Sequence, residues 1–326
     1  MRTPGSKPWS ETGERWLSGH LFYGPHAHPE SGDRILLDVV GPFVRRSLER
    51  GWISRYFFIR YGELGPHLRL RLCGEARVLE EEVGPALEEQ VGSVLSAELR
   101  GSPRGELPEG AVRSPVEALV WIPYHPEVAR YGGPEGVRLA EEFFFRSSEA
   151  VLDCLRRLVP GDRAQRLGIT LMAQVAALGA FTRDPAEAAL LASRLRDEFS
   201  AVARPDGGGA ELRRRFDEGY ERQAAALGGR VEAVWEAVGE GAELPAPMDG
   251  YLAATTALRD GIHALLRERR LRPGGAAVEG REEAHRALVP SYVHMNNNRM
   301  GVSNNEESFL SHIVQRTLER STAAAS

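Results

Sequence analysis

Cysteine is scarce in this chain: only Cys73 and Cys154 occur in 326 residues, far apart and outside any CxxC spacing. A disulfide framework and a structural zinc site are both unexpected, and a reducing cytoplasm is the expected compartment. Long apolar runs are missing too. Nowhere do eighteen uncharged apolar residues follow one another, and the N-terminal MRTPGSKPWSETGERW has no apolar core of a signal peptide, so the expectation is a soluble protein with no membrane partner. Excess basic charge is likewise absent. The 41 Lys and Arg residues face 46 Asp and Glu, a formal net charge of −5 with a pI near 6.1, which argues against nucleic acid as a partner and makes any basic patch local.

Several catalytic signatures are missing as well. There is no GxSxG elbow and no HExxH, and Gly132-Gly133-Pro134-Glu135-Gly136 lacks the Lys and Ser/Thr of a P-loop. His26-Ala27-His28 with nearby His20 has imidazoles but no accompanying carboxylate set, and a turn after Gly24-Pro25 explains it more cheaply than a metal.

What is present begins with Arg55 to Leu72, RYFFIRYGELGPHLRLRL. Phe57, Phe58 and Ile59 favour a strand, Gly62 to Pro66 supplies turn residues, and His67 to Leu72 alternates with period two. A hairpin follows. It sends Leu68, Leu70 and Leu72 to one face and His67, Arg69 and Arg71 to the other, with successive cations roughly 6.6 Å apart. Such a row is either a solvated sheet face or a cradle for carboxylates and carbonyl oxygens.

The second dense patch is Ser291 to Gly301, SYVHMNNNRMG, with a hydroxyl, a phenol, an imidazole, three carboxamides and a guanidinium but no regular period. It is expected as a returning loop or strand. On a strand, Tyr292 and His294 would share a face with Ser291 opposite; in a loop Ser291 could join them. Ser303-Asn304-Asn305-Glu306 reads as a capping box opening the last helix.

Between these patches, 31–50 reads as a helix that Pro42 should kink or split, and 77–98 as another. A short strand is expected over 118–124. After Gly133-Pro134 helices are expected over about 135–158, 162–182, 186–203, 210–226, 229–239, 249–270 and 306–320. The fold class is α+β: an N-terminal mixed β-sheet with a hairpin, covered by a predominantly helical C-terminal two-thirds, in a single domain whose parts are 1–133 and 134–326.

FFIRYGELGPHLRLRL, YHPEVARYGG (Tyr124 to Gly133) and SYVHMNNNRMG, in this order, resemble the C-terminal domain of lantibiotic dehydratases and its stand-alone thiopeptide-biosynthesis relatives. The resemblance implies one of two activities on a ribosomally made precursor peptide bearing a leader. One branch eliminates glutamate from glutamylated Ser or Thr. The other joins two dehydroalanines of an azole-containing peptide in a formal aza-[4+2] cycloaddition, giving a pyridine macrocycle with loss of water and leader. In the eliminating branch the middle motif commonly reads Tyr-x-Arg-Glu, whose Arg helps hold the departing glutamyl group; here that slot is Pro126. Arg69, Arg71 and His294 still match the other elimination positions. A non-catalytic peptide-docking subunit is the third reading.

For the cycloaddition, Tyr292 and His294 are the candidates for proton transfer because no other pair of titratable groups lies in so polar a local context, with Ser291 joining them in a loop, and Arg69, Arg71, His67, Asn298 and Arg299 are the candidate substrate-binding residues. The resemblance implies no ATP, nicotinamide, flavin or metal cofactor, and other enzymes of the modification pathway as further partners.

Overall fold

The computed structural model describes residues 13–24, 29–203 and 209–325, so His26 and His28 lie outside the described residues. The chain is α+β and falls into two compact units, one of 1–126 with 152–161 and one of 127–151 with 162–326.

The first unit holds a sheet of β1 (Glu14–Phe22), β2 (Arg55–Tyr61), β3 (His67–Glu75), β4 (Val112–Arg113) and β5 (Leu119–Trp121) in the order β2-β3-β1-β5-β4. Every pairing is antiparallel. The expected hairpin is β2–β3, with Arg69 opposite Ile59 and Arg71 opposite Phe57. The central strand β1 was not anticipated: it sets His20 beside Arg69 and Ser18 beside Arg71. Leu68, Leu70 and Leu72 are fully buried, as the alternation requires. The opposite face is not solvated, because His67 is 1% and Arg71 7% exposed.

Two helical segments accompany this sheet, and both break in the same way. The first is α1 (Pro29–Ile35), a π turn (Leu36–Val40) and α2 (Gly41–Glu49); the second is α3 (Ala76–Val78), a π turn (Leu79–Val83) and α4 (Gly84–Val94). Each π turn ends at a Gly-Pro pair, Gly41-Pro42 or Gly84-Pro85. Proline has no N–H to give to the carbonyl four residues back, and the preceding glycine donates five residues back instead, Gly41 to Leu36 and Gly84 to Leu79. Pro42 thus splits its helix as the sequence predicted.

The second unit is helical: α5 (Pro134–Arg157, whose end lies in the first unit), α6 (Arg163–Phe181), α7 (Pro185–Ala203), α8 (Gly209–Glu240), α9 (Met248–Arg267), α10 (Arg281–Arg299) and α11 (Asn304–Ala325). Two expectations need correction. The segments 210–226 and 229–239 are one helix, α8, with Gly228 buried beside Thr317 where a Cβ would touch at 3.8 Å. The SYVHMNNNRMG patch is the end of α10 rather than a loop or strand. It showed no period because Leu288, Val289, Ser291, Tyr292, Val293, Asn296, Asn297 and Arg299 are all buried, which surrounds the helix on every side.

Candidate functional site

On β3 the polar face is a packed aromatic and basic surface. His67 donates through Nδ1 to the Gly65 carbonyl, 2.8 Å away, and its Nε2 accepts from Arg69 Nε at 3.2 Å. With Nε2 taken as an acceptor, Nδ1 carries the proton, so His67 is a neutral imidazole and not part of a cation row. Burial is the chief reason its pKa falls to about 4, and burial followed by the Arg71 charge drives neighbouring His20 to about 2. The two rings lie 5.0 Å apart at 18°.

Arg69 and Arg71 are therefore the two cations of the β3 row. Arg69 covers the Tyr61 ring at 3.3 Å, and Arg71 lies 5.8 Å from the Phe57 centroid and 5.3 Å from that of Tyr124. Trp16, Phe57 and Tyr124 pack edge to face around it at 5.2–5.8 Å. Aromatic faces orient a guanidinium without using its N–H groups, which stay directed along its own plane. The face is suited to donate to carbonyl or carboxylate oxygens.

In the second unit, helical geometry divides the C-terminal patch into two stripes. Residues two apart project about 200° apart on a helix, so Tyr292 and His294 do not share a face as a strand would have required. Tyr292 shares its stripe with Asn296 and Arg299. Its ring sits 5.3 Å from Tyr131 and 5.4 Å from Phe143, it is 2% exposed, and its hydroxyl has no hydrogen-bond partner among the described residues. Burial raises its pKa well above the usual phenol range. Arg299 is fully buried, lies over Phe144 at 4.7 Å and donates to the Met295 carbonyl at 3.0 Å; Asn296 accepts from Ser147 at 3.0 Å.

Ser291, His294 and Asn298 form the other stripe, where His294 and Asn298 are half-buried. His294 Nδ1 meets the Glu307 carboxylate at 2.8 Å, and that carboxylate, 1% exposed, also accepts from Asn297 Nδ2 at 2.9 Å. A carboxylate on Nδ1 fixes the orientation of the imidazole ring. Ser291 Oγ accepts from Arg130 Nε at 3.0 Å, and Arg130 also lies 3.5 Å from Glu127. The middle motif thus meets the third here, through Arg130 with Ser291 and Tyr131 with Tyr292. Glu307, Asn297 and Arg130 were not anticipated as site residues. The only sequence hint was Glu307 beside the capping residue Glu306, whose box forms as expected with Ser303 N–H and Oγ donating at 2.9 and 2.6 Å.

Gly132-Gly133 forms no open phosphate cradle: Gly132 accepts from the Arg272 N–H at 2.8 Å, and a Cβ on it would meet Leu271 at 2.7 Å. Among the described residues no three His, Cys, Asp or Glu side chains gather closely enough to hold a metal ion. No described helix is long and apolar enough to cross a membrane.

The family model for the C-terminal part of lantibiotic biosynthesis dehydratases matches residues 16–318. The chain belongs to this family. Solved structures share its fold. TbtD, the pyridine synthase from thiomuracin biosynthesis, is 21% identical with a TM-score of 0.71, covering 95% of this chain and 99% of its own. TsrL is 18% identical with a TM-score of 0.67, covering 95% and 96%. The tRNA-dependent lantibiotic dehydratase MibB from Microbispora sp. 107891 is 24% identical with a TM-score of 0.59; the match spans 98% of this chain but 29% of MibB. No curated protein matches the chain.

Proposed function

We propose that this chain is a peptide-modifying enzyme of the pyridine-synthase type, which joins two dehydroalanines of an azole-containing precursor peptide by a formal aza-[4+2] cycloaddition and then loses water and the leader. The observation that carries the reading is the His294–Glu307 pair at 2.8 Å on the stripe of Ser291. It supplies a proton-transfer group held in one orientation beside a hydroxyl whose oxygen is already engaged by Arg130. The reaction demands positioning above all, and organising two alkenes of one peptide is worth roughly 7 to 11 kcal/mol.

In this scheme one amide shifts a proton from nitrogen to oxygen, and the resulting azadiene forms two carbon–carbon bonds with the second alkene. His294 Nε2 exchanges the protons of the tautomer shift and of the departing hydroxyl, and the Ser291 hydroxyl hydrogen, free of Arg130, donates to an amide oxygen. Arg69 and Arg71 steady substrate carbonyls in the first unit. Tyr292 takes no part, being buried among aromatic rings on the other stripe of α10.

Pro126 favours this chemistry over the alternative, glutamate elimination from a split dehydratase, because a proline ring cannot grip a departing carboxylate. Mass spectrometry on a dehydroalanine-bearing, azole-containing precursor tests the choice. Cyclised product plus free leader carboxamide supports cycloaddition. Loss of glutamate from a glutamylated peptide, with no cyclisation, would replace it by elimination, and binding without mass change would leave a docking subunit.

A further inference from the structure

Exposed arginines on the helices of this chain commonly meet a carboxylate one turn away, as Arg77 does with Glu81, Arg146 with Glu142 and Arg157 with Asp153. Arg46 and Arg50, one turn apart at the end of α2, are among those that do not. Among the described residues neither meets a carboxylate, yet both are held in place: Arg46 donates to Gln90 Oε1 at 2.7 Å, and Arg50 lies over the Trp52 ring at 4.6 Å. They line a cleft of about 250 Å³ between α2 and α4, with Glu89, Gln90 and Ser93 on the far wall. Both walls begin at a Gly-Pro pair after a π turn, a helical irregularity that gathers at functional sites.

The size and charge of the cleft limit what it can hold. Small-molecule sites span roughly 300–1,000 Å³, so this cleft suits a side chain better than a whole cofactor. Two guanidiniums against the single Glu89 carboxylate leave one positive charge over, which matches one carboxylate and disfavours a dianionic phosphate. We propose that this cleft docks an acidic peptide, one Glu or Asp carboxylate of which accepts hydrogen bonds from both Arg46 and Arg50. The stacked and tethered guanidiniums are set before binding, so little side-chain freedom is lost when the carboxylate arrives. The assignment stands apart from the proposed reaction, since it uses none of its residues.

Anisotropy of a fluorescein-labelled hexaglutamate peptide, titrated with the full-length protein, tests it. Saturable binding is expected, with none for hexaglutamine, and the Arg46→Gln/Arg50→Gln double variant should bind about tenfold more weakly or worse. Glu89→Gln removes a like charge and should tighten binding by about two- to threefold, a gain that misfolding cannot produce. Undiminished binding by the double variant, or no tightening in Glu89→Gln, overturns the site. Displacement by inorganic phosphate at the concentration at which unlabelled hexaglutamate competes would overturn the peptide and leave a small-anion site.

Discussion

Glu307, with 1% of its side chain exposed, holds His294 through Nδ1 at 2.8 Å while accepting from Asn297 on its other oxygen at 2.9 Å. The carboxylate has both oxygens engaged and the imidazole has one nitrogen fixed, so the pair has a single working orientation. Glu307→Gln keeps the volume but must present an amide to one of these partners. Turnover is expected to fall at least about tenfold, with a changed pH–rate profile and little change in peptide affinity. Parental kcat would remove the pair from the mechanism.

His294→Ala is expected to lower turnover at least about tenfold, and because it strips one partner from the buried Glu307 carboxylate a lower melting temperature accompanies the kinetic loss. Added imidazole should restore part of the rate. A lowered melting temperature with unchanged turnover would mark His294 as structural.

Tyr292→Phe removes a hydroxyl that is buried without a partner among the described residues. Deleting such a group costs nothing in hydrogen bonds and relieves its desolvation. Turnover should stay within about twofold of the parent and stability should hold or rise. A large kinetic loss at unchanged stability would return the phenol to the reaction.

Gly136→Ala should be strongly destabilising. A Cβ there would stand 1.9 Å from the Tyr131 carbonyl oxygen, a backbone atom that cannot swing aside. A loss of about 3 kcal/mol or more is expected, read as a drop in denaturant midpoint. An unchanged midpoint would mean that the turn before α5 relaxes easily.

Acid should weaken the fold before the carboxylates titrate. Burial is the main cause that lowers His67 and His285 to about 4 and His20 to about 2. Unfolded imidazoles take protons near 6.5, so between about pH 6.5 and 4 the unfolded state binds more protons and stability falls as pH drops; above that window these groups add no pH dependence. Each contributes a slope of about 1.4 kcal/mol per pH unit there. Melting temperatures at about pH 7.5, 6.5 and 5.5 should show the decline, and His67→Gln should reduce it. An equal slope in that variant would mean that native His67 accepts a proton freely.

Much of this architecture is legible where one side of an element is buried and the other is not. The period-two leucines of β3 and the Gly62–Pro66 turn announced the hairpin, and Pro42 announced a broken helix. β1 was hidden because it is central: Leu21 and His20 are both buried, so alternation of polarity reports no inside or outside. α10 was hidden for the same reason on a helix, buried residues lying on every side of it. In the site, Ser291 and His294 stood out by composition. Glu307 did not, because its partner is 13 residues away across a helix end, and nothing local distinguishes a buried first-turn glutamate from a solvated one.

The π turns have a consequence for insertions and deletions. Each takes up one residue more than an unbroken α path in a wider turn, which cancels the phase step of about 100° that an added residue would otherwise pass downstream. Excising a single residue from Leu36–Val40 would therefore let the segment close as plain α-helix with the end of α2 on nearly the same bearing, whereas excising one from the α turn that follows would swing Arg46 and Arg50 out of line with α4 by about 100°. The same excision in Leu79–Val83 would leave Glu89, Gln90 and Ser93 facing as they do. These two short segments are thus where a one-residue change of length is absorbed, and the α turns on either side are where it is not.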